Sequence, residues 1–280
     1  MKKIAGFTEL AYGADYLKYA LRSILPHIDE YYIAYSPYPT RGNNPYKCPD
    51  TRDELFQIAA DACAEFGKPL TWWENPGWWG RYDQRNSVWD KAGHCDLLII
   101  TDADEVWADG APEHLIKSAL AGNTRFWRLP YNFLWRSFNW HCEYRENNVA
   151  WPLRATRPDL PGARGEPSTW IKDFDERWMV HEFGFARKPR DFFYKLPSHG
   201  HFRNDQIDDW FTRVWLPWNP ETGQMEDVHP YRNDGERFPR IEPFDRMLLP
   251  EQMREHPYWD MSVIGGDIVE PPLERLGDNQ

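Results

Sequence analysis

Apolar residues in the first hundred positions come in two rhythms, short continuous runs and longer stretches at helical spacing. Residues Ile4 to Phe7 read as a buried strand ending in the polar pair Thr8-Glu9. In 14–28, Tyr16, Leu17, Ala20, Leu21, Ile24 and Leu25 share one helical face, and Pro26 marks the stop. DEYYIAYS (29–36) is a second strand, which gives a β-α-β opening with a parallel crossover. Turn residues fill 37–50, a loop at that strand's carboxyl end. Asp50 or Thr51 caps the next helix, which carries Asp53-Glu54 in its first turn and runs to Gly67. PLTWWE (69–74) is a third strand, QRNSVWDKAG (84–93) a helix closed by Gly93, and DLLIITDAD (96–104) a fourth strand.

Strands alternating with helices predict an α/β fold built on an open, mostly parallel sheet flanked by helices. Ligands of such sheets bind beyond the carboxyl ends of the strands. Thr8-Glu9, the loop from Tyr35 and Ser36, and Asp102 to Asp104 all fall at those ends. After residue 110 the alternation fades into strands and loops with aromatic residues and arginines interleaved. From Pro217 to Pro272 prolines recur, which predicts an irregular C-terminal extension wrapped over the core. No internal repeat is visible.

Composition narrows the class. A chain of 280 residues with 41 % hydrophobic and 28 % charged residues supports one large soluble core. Sixteen tryptophans exceed what such a core needs and suit a protein that grips sugars or bases, although a Trp-rich interior explains them equally well. A net charge of −11 argues against non-specific binding to nucleic acid or anionic lipid. Cys48, Cys63, Cys95 and Cys142 are irregularly spaced without a C-x-x-C pair, as expected of reduced thiols. The opening MKKIAGF lacks a signal-peptide apolar run and no membrane-length apolar stretch occurs, so a cytoplasmic protein with no membrane partner is expected.

The candidate chemistry begins where the apolar run Leu97 to Thr101 meets Asp102, Asp104 and Glu105. Carboxylates two apart, just past a buried strand, can aim at one point and offer hard oxygens to Mg²⁺ or Mn²⁺, which bridges substrate phosphates. Capping of a following helix is the competing explanation for a tripeptide this common.

DLLIITDADEVW, preceded by QRNSVWDKAG and by the β-α-β opening, resembles the nucleotide-sugar half of GT-A glycosyltransferases, close to the family 2 type. The resemblance implies a GT-A, Rossmann-like sheet and a D-x-D that holds a divalent metal on the diphosphate of the sugar donor, a UDP-sugar being favoured. Asp104 would be the direct ligand, and Asp102 would touch metal or ribose. Arg85 and Asn86 match an Arg-Asn pair that supports the donor in many relatives, while exposed helix polarity would also account for them. Thr8, Glu9, Tyr35 and Ser36 fall in the donor pocket, with a departure at Thr8, where many relatives have asparagine.

VHEFGFARKP (180–189), with Lys195 beyond it, resembles the H-x-x-G-x-x-R segment that follows the D-x-D in these transferases. His181 is then the third metal ligand, against a buried histidine satisfied by backbone, with His199 and His201 as rivals. Arg187, Lys188 and Lys195 would offset charge on the leaving diphosphate. Glu182 is the candidate catalytic base, with Asp191, Asp173 and Asp175 behind it.

Between Asn123 and Arg164, seven arginines (Arg125, Arg128, Arg136, Arg145, Arg154, Arg157, Arg164) face three acids (Glu143, Glu146, Asp159), with Trp127, Trp135, Trp140 and Trp151 among them. Such a span suits a nucleic-acid strand or a flipped base, rings alone suit a sugar, and surface arginines over core indoles explain it as well. The expected protein is therefore a metal-dependent hexosyl- or pentosyltransferase of a bacterial or virus-infected cytosol. Its acceptor is a hydroxymethylated DNA base or a saccharide. Residues 1–110 form the nucleotide-sugar half, 111–216 the acceptor half of the same domain, and 217–280 a tail packed on the core. A nucleotidyltransferase is an alternative, weakened because AYGADY holds a single glycine where a phosphate loop would be Gly-rich. A catalytically inactive binding module is another, and its broken metal motif is not seen.

Overall fold

The computed structural model describes residues 2–37, 44–75, 81–121, 126–142, 153–156, 169–170, 178–198, 209–221, 223, 225, 228, 240–266 and 273–275. In chain order the elements are β1 (Ile4–Leu10), α1 (Ala14–Ile24), β2 (Glu30–Tyr35), α2 (Arg52–Glu65), β3 (Leu70–Glu74), α3 (Arg81–Asn86), α4 (Trp89–Ala92), β4 (Leu97–Ile100), β5 (Glu105–Trp107), α5 (Ala111–Ala121), β6 (Phe126–Arg128), β7 (Tyr131–Trp135), β8 (Trp140–Cys142), β9 (Leu153–Thr156), β10 (Thr169–Trp170), β11 (Val180–Phe185), α6 (Pro189–Ser198) and β12 (Ile241–Pro243). The α/β architecture expected from the alternation is the one observed. β4, β1, β2 and β3 lie side by side, all parallel, with helices on both faces.

Local chemistry explains the boundaries. α1 buries Tyr16, Leu17, Ala20, Leu21 and Ile24, a stripe at helical spacing, and passes into a 3-10 turn, Leu25–His27, where Pro26 cannot continue the helix. Thr51, not Asp50, caps α2: its hydroxyl accepts from the Glu54 N–H at 3.2 Å. Gly67, at φ 63°, turns the chain out of α2 in the left-handed conformation glycine tolerates. The single helix expected over 84–93 is two short ones, α3 and α4, interrupted at Ser87-Val88. The helix after the acidic turn, α5, starts only at Ala111, beyond β5, with Pro112 near its start and Leu115 and Ala119 buried on one face.

Side chains of the parallel strands alternate between two apolar layers, as the period of two requires. Leu10, Tyr31, Ile33, Tyr35, Leu97 and Ile99 face α1, α2 and α5, whereas Ala5, Phe7, Tyr32, Ala34, Leu98 and Ile100 face Val88 and Ala92 beside α4. β9 then adds antiparallel to β4, and the full sheet runs β10-β6-β9-β4-β1-β2-β3. A second sheet, β12-β8-β7-β11-β5, grows from the short strand β5 just past the acidic turn. Because β5 pairs antiparallel with β11, setting Glu105 against Glu182 and Val106 against His181, residues 180–187 are brought against the D-x-D turn across some eighty positions of sequence.

The described part of the C-terminal region lies over α1. Leu249, Met253, Tyr258 and Ile264 share a core with Tyr16 and Tyr19. His256 stacks on Tyr16 at 4.7 Å and lies 3.0 Å from the Asp15 carbonyl. Burial brings its pKa down to about 4 despite that carbonyl contact, so the ring is a neutral packing group at ordinary pH. All four cysteines are free thiols. Among the described residues no helix is long and apolar enough to cross a membrane.

Candidate active site at the carboxyl edge of the sheet

In the strand order β4-β1-β2-β3 the direction of winding reverses between β1 and β4, and α/β sheets bind ligands at such a switch point. Polar groups gather there. Arg85, from α3, pairs with Glu9 at the end of β1 and lies 3.9 Å from Asp102 at the end of β4, so one guanidinium ties the two strand ends together. Gln84 beside it is buried and donates to the Leu10 and Ala34 carbonyls, holding the ends of β1 and β2. Glu105 folds back onto its own turn, accepting from the Asp102 N–H at 2.8 Å and from the Tyr131 hydroxyl at 2.6 Å. It braces the turn, which leads into strand β5, so Glu105 does not cap a helix.

Beyond that turn runs a buried chain of five charges. Asp15, in the first turn of α1, lies 3.1 Å from Arg187, and Arg187 donates to Asp104 Oδ2 at 3.1 Å. Lys195, on α6, donates to the same Oδ2 at 2.7 Å and to Glu182 Oε1 at 3.0 Å. Arg187 is 1 % exposed and Lys195 6 %, so water screens these pairs little. Burial alone would raise Asp104, but Lys195 and Arg187 outweigh it and hold the carboxyl well below the usual range. Burial opposes the Lys195 charge, yet Asp104 and Glu182 keep the ammonium well above its ordinary pKa. Burial pushes Asp15 up to about 7 against the pull of Arg187. Burial also raises Glu182, and Asp104 adds to the rise while Lys195 counters it. Three carboxyl groups thus meet two cations, and Glu182 Oε2 is buried with no hydrogen-bond partner among the described residues.

Two glycines make the packing possible. Gly13 opens α1 at φ 122°, and a Cβ there would come within 2.8 Å of Ala103 Cβ, the residue between the two aspartates. Its N–H and that of Ala14 are capped from a distance by Asp50 Oδ2, at 2.6 and 3.0 Å. At Gly184 any Cβ would overlap Lys195 Nζ and the Glu182 carboxylate, so a bare backbone is what lets that pair form. Asp15, Asp50 and Gln84 carried no sequence signal beyond ordinary turn and helix residues, whereas Gly184 is the glycine of the H-x-x-G-x-x-R segment.

Several expected site residues are elsewhere. Thr8 faces the α1-α2 layer by strand parity, its hydroxyl between the Tyr31 hydroxyl (2.6 Å) and the Thr101 carbonyl (2.8 Å), so it is a buried strut, not a pocket wall. Tyr35 shares that parity and stacks on Trp72. Ser36 is buried at the end of β2, its N–H bonded to Leu10. Asn86 is exposed, its carboxamide oxygen 3.4 Å from Trp89 Nε1, and Lys188 reaches over the Tyr258 ring. His181 is one residue from Glu182 on β11 and faces the other way. Its Nδ1 meets the Asn132 amide at 3.1 Å, and the Asn132 oxygen accepts from His141 Nδ1 at 2.7 Å. Burial, with His141 nearby, holds His181 down at about 3. It is a neutral core ring and not a partner of Asp104. Among the described residues the trio spaced to share an ion is Glu30, His94 and Cys95, at the opposite end of the sheet, where Lys3 already bonds to Glu30 at 2.8 Å.

Asp102 and Asp104 offer hard carboxylate oxygens of the kind that, one or two at a time with substrate phosphates, hold Mg²⁺ or Mn²⁺, with Asp104 Oδ2 engaged by Lys195 and Arg187 and Asp102 lying near Arg85. The arginine and tryptophan patch is largely internal where it is described. Arg136 is buried, bonded to the Ile264 and Leu216 carbonyls and packed on Trp215 at 4.0 Å, and Trp127 and Trp135 are core residues. Trp140 packs edge-on against Trp218. Arg128 and Arg154 fall on β6 and β9. Arg125, Glu143, Arg145, Glu146, Trp151, Arg157, Asp159, Arg164, Asp173, Asp175, His199 and His201 lie outside the described residues.

No protein-family model matches the chain, and no curated protein does. Among solved structures it is similar to S. aureus TarS 1-349, with TM-score 0.37 and 13 % identity over 56 % of this chain and 47 % of that one. The same TarS fragment in complex with UDP-GlcNAc gives TM-score 0.38 and 12 % identity over 56 % and 45 %. A mycobacterial protein gives TM-score 0.32 and 15 % identity over 47 % and 41 %. The chain therefore spans under half the length of these structures, and likenesses this distant carry no weight for substrate or activity.

Proposed function

We propose that this chain is a metal-dependent glycosyltransferase that moves a sugar from a nucleotide-diphosphate donor, most naturally a UDP-sugar, to an acceptor hydroxyl. The observation that carries the proposal is the site at the β1-β4 switch point. There Arg85 joins Glu9 to Asp102, and Asp104 sits against two buried cations. Asp102 and Asp104 would hold Mn²⁺ or Mg²⁺, which supplies positive charge to the donor's diphosphate. Arg187 and Lys195 stabilise charge on the departing nucleoside diphosphate, and their burial makes that stabilisation stronger than it would be in water. Arg85 fixes the orientation of Asp102. Glu182, whose Oε2 is unpartnered and whose pKa is raised, takes the acceptor proton in an inverting transfer.

For the acceptor, the loss of Arg136, Trp127 and Trp135 to the interior and the net charge of −11 favour a saccharide over a hydroxymethylated DNA base. The donor assignment is tested by thermal unfolding with Mn²⁺ and a panel of nucleoside diphosphates. A ligand at one hundred times its Kd adds about 2.7 kcal/mol. For a chain of this size that moves Tm by several degrees. UDP compounds are expected to give that shift; no shift with any UDP or GDP compound contradicts the donor assignment.

A further inference from the structure

Lys195 has a second consequence, which rests on the metal-binding role proposed for Asp104. The Asp104 oxygen that faces the cluster, Oδ2, is taken by Lys195 Nζ at 2.7 Å and Arg187 at 3.1 Å. A divalent ion coordinating that oxygen would stand within a few ångströms of the ammonium and repel it. The two cations therefore compete for one carboxylate. Lys195 is also the more movable: Arg187 is pinned at its other edge by Asp15 and lies near the Tyr12 and Tyr16 rings, whereas Lys195 ends a flexible four-carbon stem.

We propose that Lys195 is a resident counter-cation that holds the metal's place on Asp104 and leaves it only when a diphosphate arrives to receive the ammonium. The ion and the nucleotide then bind as a pair. Metal alone must displace a buried lysine that has nowhere favourable to go except Glu182. Nucleotide alone must bring its diphosphate against the Asp104 carboxylate, whose charge is shared by the cations the phosphates would need. Together they resolve both conflicts, because the phosphate oxygens accept Lys195 and the metal takes its place on Asp104. Gly184 serves the same device, since its missing side chain is the space in which Lys195 and Glu182 meet.

The test is a titration with Mn²⁺ alone, read as free Mn²⁺ by electron paramagnetic resonance, and repeated with saturating UDP. For the wild type, UDP is expected to tighten Mn²⁺ binding at least tenfold. Lys195→Met is expected to bind Mn²⁺ alone at least tenfold more tightly than wild type and to lose most of the gain from UDP. Lys195→Arg, which keeps a cation, should not show the tighter binding of Mn²⁺ alone. Gly184→Ala displaces Lys195 without removing it and should tighten Mn²⁺ binding in the same direction, which keeps the idea testable if Lys195→Met does not fold. Equal affinity for Mn²⁺ alone in wild type, Lys195→Met and Gly184→Ala overturns the proposal, as does wild-type Mn²⁺ binding that UDP leaves unchanged although UDP itself binds. If UDP binds under no metal condition the donor assignment fails, while the comparison with Mn²⁺ alone still decides whether Lys195 occupies the metal's place.

Discussion

Asp104→Ala is expected to destabilise the fold by about 3 kcal/mol or more, the usual cost of removing one partner from a buried ion pair. The change removes the acceptor that Lys195 and Arg187 share, leaving each of these nearly inaccessible cations with one carboxylate, Glu182 and Asp15, both of which burial pushes toward the neutral form. A carboxylate kept open for an ion and paired with nothing would carry no such penalty, so urea unfolding distinguishes the two situations. Replacing Lys195 with methionine in the same chain removes one of the stranded charges and should recover a large part of the loss, a coupling that a double-mutant cycle measures. A cost below about 1 kcal/mol for Asp104→Ala, in the range of exposed pairs, would mean that the five-charge chain does not form as described.

The largest effect on activity is expected from Glu182→Gln. The amide keeps the shape of the carboxylate and can still accept from Lys195, but it cannot take a proton. Loss of a general base typically slows the reaction 10²- to 10⁴-fold. UDP with Mn²⁺ should still bind, because Asp102, Asp104, Arg187 and Lys195, assigned to the donor side, are all retained. The pH profile carries a second signature. A base works in its ionised form, and Glu182 is raised above the ordinary glutamate range, burial being the first cause. Transfer should therefore fall as pH drops through a value higher than that of a normal carboxylate, and Glu182→Gln should remove that limb. Full transfer activity in the variant would assign the proton to another group.

Sequence pattern was a good guide where one physical rule acts locally. The run Leu97 to Ile100 is apolar because β4 is covered on both faces, so both the strand and the acidic turn after it could be read directly. Glu182, Arg187 and Lys195, singled out through the H-x-x-G-x-x-R resemblance, lie beside Asp104, and the pairing of β5 with β11 puts the first two there. The resemblance names His181, but on a strand neighbours face opposite ways, and here Glu182 points to the Lys195–Asp104 pair while His181 points to Asn132. Parity likewise sends Thr8 and Tyr35 into the layer beneath α1 and α2.

Arg136 shows a different limit. Charge on a sequence suggests surface, yet its neighbours fold three carbonyl-bearing segments and the Trp215 ring around it, and burial lowers its pKa to about 10. Such contacts span tens to more than a hundred residues of chain. Asp50, which caps α1 from 36 positions away, belongs to the same class. Long-range pairing of polar groups depends on which loops meet, and hydrophobic periodicity does not encode that.

The central claim is that a nucleotide-diphosphate sugar binds where β1 and β4 part, with its diphosphate beside Asp104. A crystal soaked with a UDP-sugar and Mn²⁺ tests it most directly. The expected result is the ion against Asp102 or Asp104, the diphosphate within hydrogen-bonding reach of Lys195 or Arg187, and the sugar facing Glu182. Ligand bound at another edge of the sheet, or an ion held by Glu30, His94 and Cys95 with Asp104 still on Lys195, would contradict it.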